Sequence, residues 1–251
     1  MNEKRARGLF IAGTDTGVGK TRVAATIART LIASGVRVGV YKPAASGCER
    51  RRGVLVSEDA VELWEAAGKP LTLEQVCPQR FVAPLAPHLA ARAEGSEIDA
   101  RLLRSGLAVW QRNADIVLIE GAGGLMSPLG DDEYVGDLAL EFGYGVVIVA
   151  PNKLGVINQT LQTLVTAAVF RGGLDVVGIV LNHVQSNART DPSIKSNRAE
   201  LEHRAEAPVL AELGYNTKKF DKPIDWMKLA TAGKTARPRK GNAKGKMKNE
   251  K

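Results

Sequence analysis

Two cysteines are all that the 251 residues contain. Cys48 and Cys77 do not stand in C-x-x-C spacing, so two reduced thiols are expected rather than a disulfide framework or a metal knuckle. Long apolar runs are missing as well, and none approaches the length that crosses a bilayer. The opening Met1–Arg7, MNEKRAR, has no h-region behind it, so no secretory leader and no membrane partner are expected, and the protein is expected in the cytoplasm. No internal repeat is found. A charge excess is absent from most of the chain too, although the total is +8. Lys234 to Lys251 holds eight basic residues and one Glu, a net +7, which leaves 27 basic and 26 acidic groups in the rest. The basicity therefore belongs to a tail and not to a nucleic-acid-binding face, and a solubilising role is expected of it.

The remaining composition, 44% hydrophobic and 25% charged, is ordinary for a soluble globular protein and sufficient for one large domain or two small ones. The decisive stretch is Gly13 to Thr21, GTDTGVGKT. An apolar strand, Gly8 to Ala12, runs into it, and Arg22 to Ser34 follows with helical periodicity. A strand, a glycine-rich turn and a helix start aim backbone N–H groups at one point, where a polyphosphate fits. The spacing is a variant of G-x-x-x-x-G-K-[ST], with the first glycine one residue farther out, at Gly13. In such a loop Gly17, Val18 and Gly19 cradle phosphate, Lys20 reaches the outer phosphates, the Thr21 hydroxyl sits on Mg²⁺ and Arg22 opens the helix.

Further strands are expected at Val36 to Tyr41, Asp115 to Glu120, Gly145 to Ala150, Asp175 to Leu181 and Ala207 to Leu213. Helices are expected at Ser57 to Ala67, Ile98 to Gln111, Leu154 to Phe170 and Asn197 to Glu206. Cys48 to Val56 reads as a charged loop and Pro70 to Pro87 as an irregular excursion. Alternating strands and helices imply an α/β fold, a doubly wound, mostly parallel sheet with a P-loop NTPase-type core. In such a sheet ligands gather beyond the carboxyl ends of the strands. That rule singles out Lys42 and Ser46 after the second strand. It also singles out Glu120, with Gly121, Ala122 and Gly123 behind it, as a carboxylate placed to hold Mg²⁺. Asn182 and His183 close a later strand at the same edge. Asp59 by itself is no more than an acid in the first turn of a helix.

Taken in order, GTDTGVGKT, YKPAASG at Tyr41 to Gly47, SEDA around Asp59, APHLAA at Ala86 to Ala91, IEGAGG at Ile119 to Gly124, KLGVIN at Lys153 to Asn158 and LNHV at Leu181 to Val184 resemble the dethiobiotin synthetases. The resemblance covers roughly residues 8 to 215. It implies a homodimer that joins 7,8-diaminononanoate and CO₂ with ATP as co-substrate and Mg²⁺ as cofactor. It implies Lys42 and Lys20 as catalytic groups, and Thr21, Asp59 and Glu120 as the metal ligands. The nucleotide would meet Gly17 to Arg22, Asp59, Glu120 to Gly123, Asn182, His183, Leu213 and Gly214. The substrate would meet Ser46 and, from the partner subunit, the helix start at Gly155, Val156, Ile157 and Asn158. Two departures stand out: Gln159 where the family often has His, and Gly214 where it usually has Pro. The domain is expected to end at 215, with residues 216–251 as a basic, disordered tail.

Two other classes fit less well. A cobyrinate-type synthetase needs a glutamine-hydrolysing domain with a nucleophilic Cys. A partitioning-type ATPase carries a Lys five residues before the loop lysine, where this chain has Asp15.

Overall fold

The computed structural model of the protein describes residues 6–186 and 191–232. Seven strands form the main sheet: β1 (Arg7–Gly13), β2 (Val38–Tyr41), β3 (Ile116–Gly124), β4 (Gly145–Pro151), β5 (Val176–Asn182), β6 (Val209–Leu213) and β7 (Thr231–Ala232). Their order is β6-β5-β4-β1-β3-β2, all parallel, with β7 antiparallel against the start of β1. The expected doubly wound, mostly parallel sheet is therefore present. β1 lies between β3 and β4, where the chain stops building one half of the sheet and starts the other. In open sheets of this kind a ligand sits at that reversal, beyond the carboxyl ends of the strands.

The strands are apolar without alternation because both faces are covered. Leu9 to Ala12, Ile116 to Ile119 and Val146 to Val149 are all buried, and with Val23, Ile27 and Leu31 they join one core. The helices are α1 (Lys20–Ala33), α2 (Glu58–Ala66), α3 (Leu73–Val76), α4 (Pro87–Ala93), α5 (Ala100–Ser105), α6 (Leu107–Asn113), α7 (Val135–Phe142), α8 (Val156–Val169), α9 (Ile194–Arg204) and α10 (Trp226–Leu229).

Several expectations need correction. The single helix expected over Ile98 to Gln111 is two helices meeting at Gly106, where a Cβ would stand 2.4 Å from the Tyr41 hydroxyl. That hydroxyl donates to the carbonyls of Leu102 and Leu103, so the close approach is built in. The charged stretch after Cys48 is a hairpin, Glu49–Arg51 against Val54–Val56, and not a loop. The excursion expected over Pro70 to Pro87 contains α3, capped by Thr72 and Gln75, and α4 begins on Pro87, where a missing N–H costs nothing. The fold also runs past Tyr215. Phe220 and Trp226 stack with ring centroids 5.2 Å apart, Trp226 is fully buried, and residues 231–232 pair with Arg7 and Gly8. The Lys-rich stretch from Lys234 lies outside the described residues.

Candidate nucleotide and substrate site

The loop after β1 is shaped by its glycines. Gly19 caps α1 at φ 85°, where any other side chain would strain the backbone and displace the Asn182 amide. Lys20 is buried and its Nζ donates to the Asp15 carbonyl at 3.1 Å, folded back along its own loop. Burial holds its pKa below the usual lysine value, with Glu120 pulling the other way.

At the ends of β2 and β3 the structure brings the residues expected to hold metal together with Lys42, expected as a catalytic group. Lys42 Nζ lies 2.5 Å from Glu120 Oε1 and 3.0 Å from Asp59 Oδ2. The Thr21 hydroxyl donates to the same Glu120 oxygen at 2.9 Å. Lys42 and Glu120 are buried, whereas half of the Asp59 side chain is exposed. Burial works against the Lys42 ammonium, but the carboxylates of Glu120 and Asp59 outweigh it and hold its pKa above the ordinary value. Burial also pushes the Glu120 carboxyl up, against the pull of Lys42. Asp59 is held low because Lys42 outweighs its partial desolvation. Glu120 Oε2 is buried without a hydrogen-bond partner among the described residues. An orphaned carboxylate oxygen, a hydroxyl and a half-open carboxylate form a hard-oxygen set that suits Mg²⁺ completed by water and phosphate.

These groups share one hollow of about 830 Å³. Gly17, Gly19, Lys20, Thr21, Arg22, Lys42, Ser46, Asp59, Glu120, Ala122 and Gly123 all line it. Its far wall is Pro84 to Pro87 with Ser127 and Pro128, which the sequence motifs do not assign to a role. The APHLAA motif reaches only Ala86 and Pro87 of that wall.

Asn182, His183, Leu213 and Gly214 stand to the other side of the loop. Asn182 is buried and its Nδ2 donates to the Val18 carbonyl at 2.8 Å, which ties the end of β5 to the phosphate loop. His183 turns its ring away: Nε2 lies 2.9 Å from Glu212 Oε2 and 3.2 Å from Asn152 Nδ2. Its backbone N–H donates to the Leu213 carbonyl at 2.9 Å. Arg22 reaches across this group, which loop spacing alone does not reveal. Gly155, Val156, Ile157 and Asn158 do not line the hollow; Gly155 caps α8 at φ 93° and is exposed together with Asn158. The two thiols are free and buried, and burial pushes Cys77 up to about 12, which leaves neither suited to act as a nucleophile.

A parallel sheet reversing at β1, a glycine loop leading into α1, and a lysine, a threonine and two carboxylates at one rim together define a P-loop nucleotide-binding domain. A family described as an AAA domain matches residues 7–220. The chain is 42% identical over 215 residues to the ATP-dependent dethiobiotin synthetase of Rhodopirellula baltica, covering 81% of this chain and 82% of that protein. The enzyme of the same name from Anaeromyxobacter dehalogenans is 44% identical over 208 residues, covering 82% and 89%. That of Thermodesulfovibrio yellowstonii is 36% identical over 217 residues, covering 84% and 89%. The chain belongs to the dethiobiotin synthetase family.

Proposed function

We propose that the chain converts 7,8-diaminononanoate, CO₂ and ATP into dethiobiotin, ADP and phosphate. The observation that carries this reading is Lys42, buried between Glu120 and Asp59 in the same hollow as Lys20 and Thr21. One amine of the substrate adds to CO₂ and loses a proton, giving a carbamate. The γ-phosphoryl group passes to a carbamate oxygen as ADP leaves, giving a mixed anhydride. The second amine attacks the carbonyl, phosphate departs, and the ureido ring closes.

Phosphoryl transfer asks the protein for position and charge rather than for covalent chemistry. Lys20 lies along the loop and swings from the Asp15 carbonyl to the outer phosphates. Lys42 offers a compact ammonium to the carbamate and to the oxygens of the moving phosphoryl group. Mg²⁺, held by Thr21, Asp59 and Glu120, would neutralise charge on the phosphates. With a cation held by those carboxylates, the Lys42 ammonium would be available to the carbamate and the phosphoryl oxygens. Ser46 and the backbone of Gly121 to Gly124 line the diamine, while Asn182, His183, Leu213 and Gly214 flank the base. The carboxylate of the substrate sits at the α8 N-terminus, Gly155 to Asn158, of a second subunit. That last assignment is consistent with their position outside the hollow of their own chain.

Purified protein supplied with diaminononanoate, bicarbonate and MgATP is expected to form ADP and dethiobiotin in equal amounts, read by mass spectrometry. No product with bicarbonate but turnover with glutamine would move the assignment to the cobyrinate-type synthetases. Lys42→Ala is expected to leave nucleotide binding largely intact and to cut turnover by about 10²-fold or more, as loss of one charged transition-state donor does. Near-normal turnover would remove Lys42 from the chemistry.

A further inference from the structure

His88, the histidine of APHLAA, does not itself line the hollow. It follows Pro87, the last residue of the 84–87 wall, and is half-buried in the first turn of α4. Its Nδ1 lies 3.1 Å from the Pro128 carbonyl oxygen. A carbonyl can only accept, so Nδ1 carries a proton and donates it there. One turn on, and so on the same face of α4, Arg92 Nη2 lies 2.6 Å from Asp131 Oδ1. Both of those side chains are largely exposed and water screens the pair, which leaves the His88 bond as the firmer tie between α4 and the loop after β3.

The two halves of the far wall are held in different ways. The loop that carries Ser127 and Pro128 is rooted in the main core: Leu125 and Leu129 are buried in it, Val135 N–H donates to the Ser127 carbonyl and Gly136 N–H to the Leu125 carbonyl. α4 is not rooted there. Phe81, Ala90 and Ala91 form a small core of their own, and the partly buried Ile98 packs against both cores. Among the described residues, backbone bonds to the 45–48 stretch stop at Ala83, whose carbonyl accepts from Gly47 N–H. A segment with so few buried apolar contacts opens more readily than the body of a fold. Pro84, Leu85, Ala86 and Pro87 carry no polar side-chain group, yet they line the same hollow as Lys20, Lys42 and Glu120. On the function proposed above the phosphate loop holds the nucleotide, so the reactant that an apolar wall serves is the hydrocarbon chain of the diamine.

Resting on that reading, we propose that His88 is a positioning residue for the diamine: by joining the Pro87 end of α4 to Pro128, it holds the two halves of the wall at the separation the substrate needs, without touching the substrate. Losing the bond lets α4 part from the loop. The closed hollow is then present in only a fraction of the molecules, and the apparent affinity for the diamine falls by that fraction. The phosphate loop stands on the main core and keeps its grip on the nucleotide. A bound diamine holds the wall closed, so turnover at saturation changes little.

The test compares wild type with His88→Phe, which keeps a ring and removes the donor, and with His88→Asn, whose Nδ2 stands as many bonds from the backbone as the imidazole Nδ1. For His88→Phe the KM for diaminononanoate is expected to rise about threefold or more, within the range of one neutral hydrogen bond. Its kcat, and the displacement of a ribose-labelled fluorescent ATP by MgATP, are expected within about twofold of wild type, since both depend on the main core. His88→Asn is expected to recover most of the loss in KM. Hydrogen exchange read by mass spectrometry is expected to quicken about threefold or more over residues 83–93 of His88→Phe and to stay unchanged over 146–149. A KM that rises by less than about threefold, or that moves together with kcat and nucleotide affinity, overturns the inference. Unfolding of the whole His88→Phe chain overturns it too, because a wall with its own small core is not what the main core rests on. Faster exchange over 83–93 in a protein that forms no dethiobiotin would sink the proposed reaction and leave the tie standing. Dethiobiotin formation with KM and exchange both unmoved would do the reverse.

Discussion

Glu120 is buried beside the ammonium of Lys42, and among the described residues no other cation lies as near to it as that 2.5 Å contact. Replacing Lys42 with methionine keeps the volume and removes the charge, which leaves a carboxylate in a dry site. Such a stranded charge costs about 3–5 kcal/mol of stability. The sign of its pH dependence follows from the direction of the shift. Glu120 already titrates above the free value of 4.5, and losing Lys42 raises it further. An acid raised on folding penalises the fold at high pH, and the penalty fades as pH falls through its folded value. Urea unfolding is therefore expected to show Lys42→Met far below wild type at pH 8, with the gap narrowing as pH falls toward 5. A gap independent of pH would mean that Glu120 does not carry the strain. The position of Lys42 at a strand end was legible in the sequence, because strand ends in a parallel sheet share one rim. Its pairing with both Asp59 and Glu120 was not, since 61 residues separate Asp59 from Glu120 and no local pattern links them. Arg22 is the converse case: loop spacing places it at the phosphates, and the structure carries its side chain to the other rim.

At the scale of the element, the strands were the most legible part. Both faces of the sheet are covered, and continuous apolar runs such as DIVLIE and GVVIVA mark strands that cannot face water. Short helices were hidden. α7, VGDLALEF, is eight residues with Gly136 near its start, where a Cβ would press to 3.0 Å on Phe170. α4 opens on a proline, which looks like a breaker until it is seen to sit in the first turn. The piece after Tyr215 was concealed because α10 is four residues long and β7 two. Its anchor is Trp226, fully buried against Phe220. Trp226→Ala is expected to cost about 3–5 kcal/mol in urea unfolding, the usual size for a buried large aromatic. A loss under about 1 kcal/mol would return this stretch to the status of a tail.

For the whole molecule, the outer face of α8 is left apolar in the single chain. Val165 and Val169, one turn apart, are 64% and 72% exposed, and Leu154 just before the helix is 79% exposed. A surface of that kind is consistent with the second subunit proposed to present Gly155 to Asn158. Val165→Glu is expected to turn a dimer into a monomer in sedimentation velocity. It is also expected to abolish dethiobiotin formation while nucleotide displacement stays within about threefold of wild type, as for a change distant from that rim. A protein already monomeric, yet active, would remove the partner subunit from the substrate site.

The place of β1 in the sheet bears on how such a chain matures. β1, which precedes every other described strand, lies inside the sheet, with Arg7 registered on Ile116, Leu9 on Gly145 and Gly8 on Thr231. Every neighbour of the phosphate loop's own strand is thus more than a hundred residues downstream. Pairings of such long sequence separation close late, because the loops between them must be ordered before the contacts repay it. A chain halted before residue 145 would hold the complete GTDTGVGKT motif on a strand paired with β3 alone, its edge toward β4 open, a state in which aggregation competes with assembly.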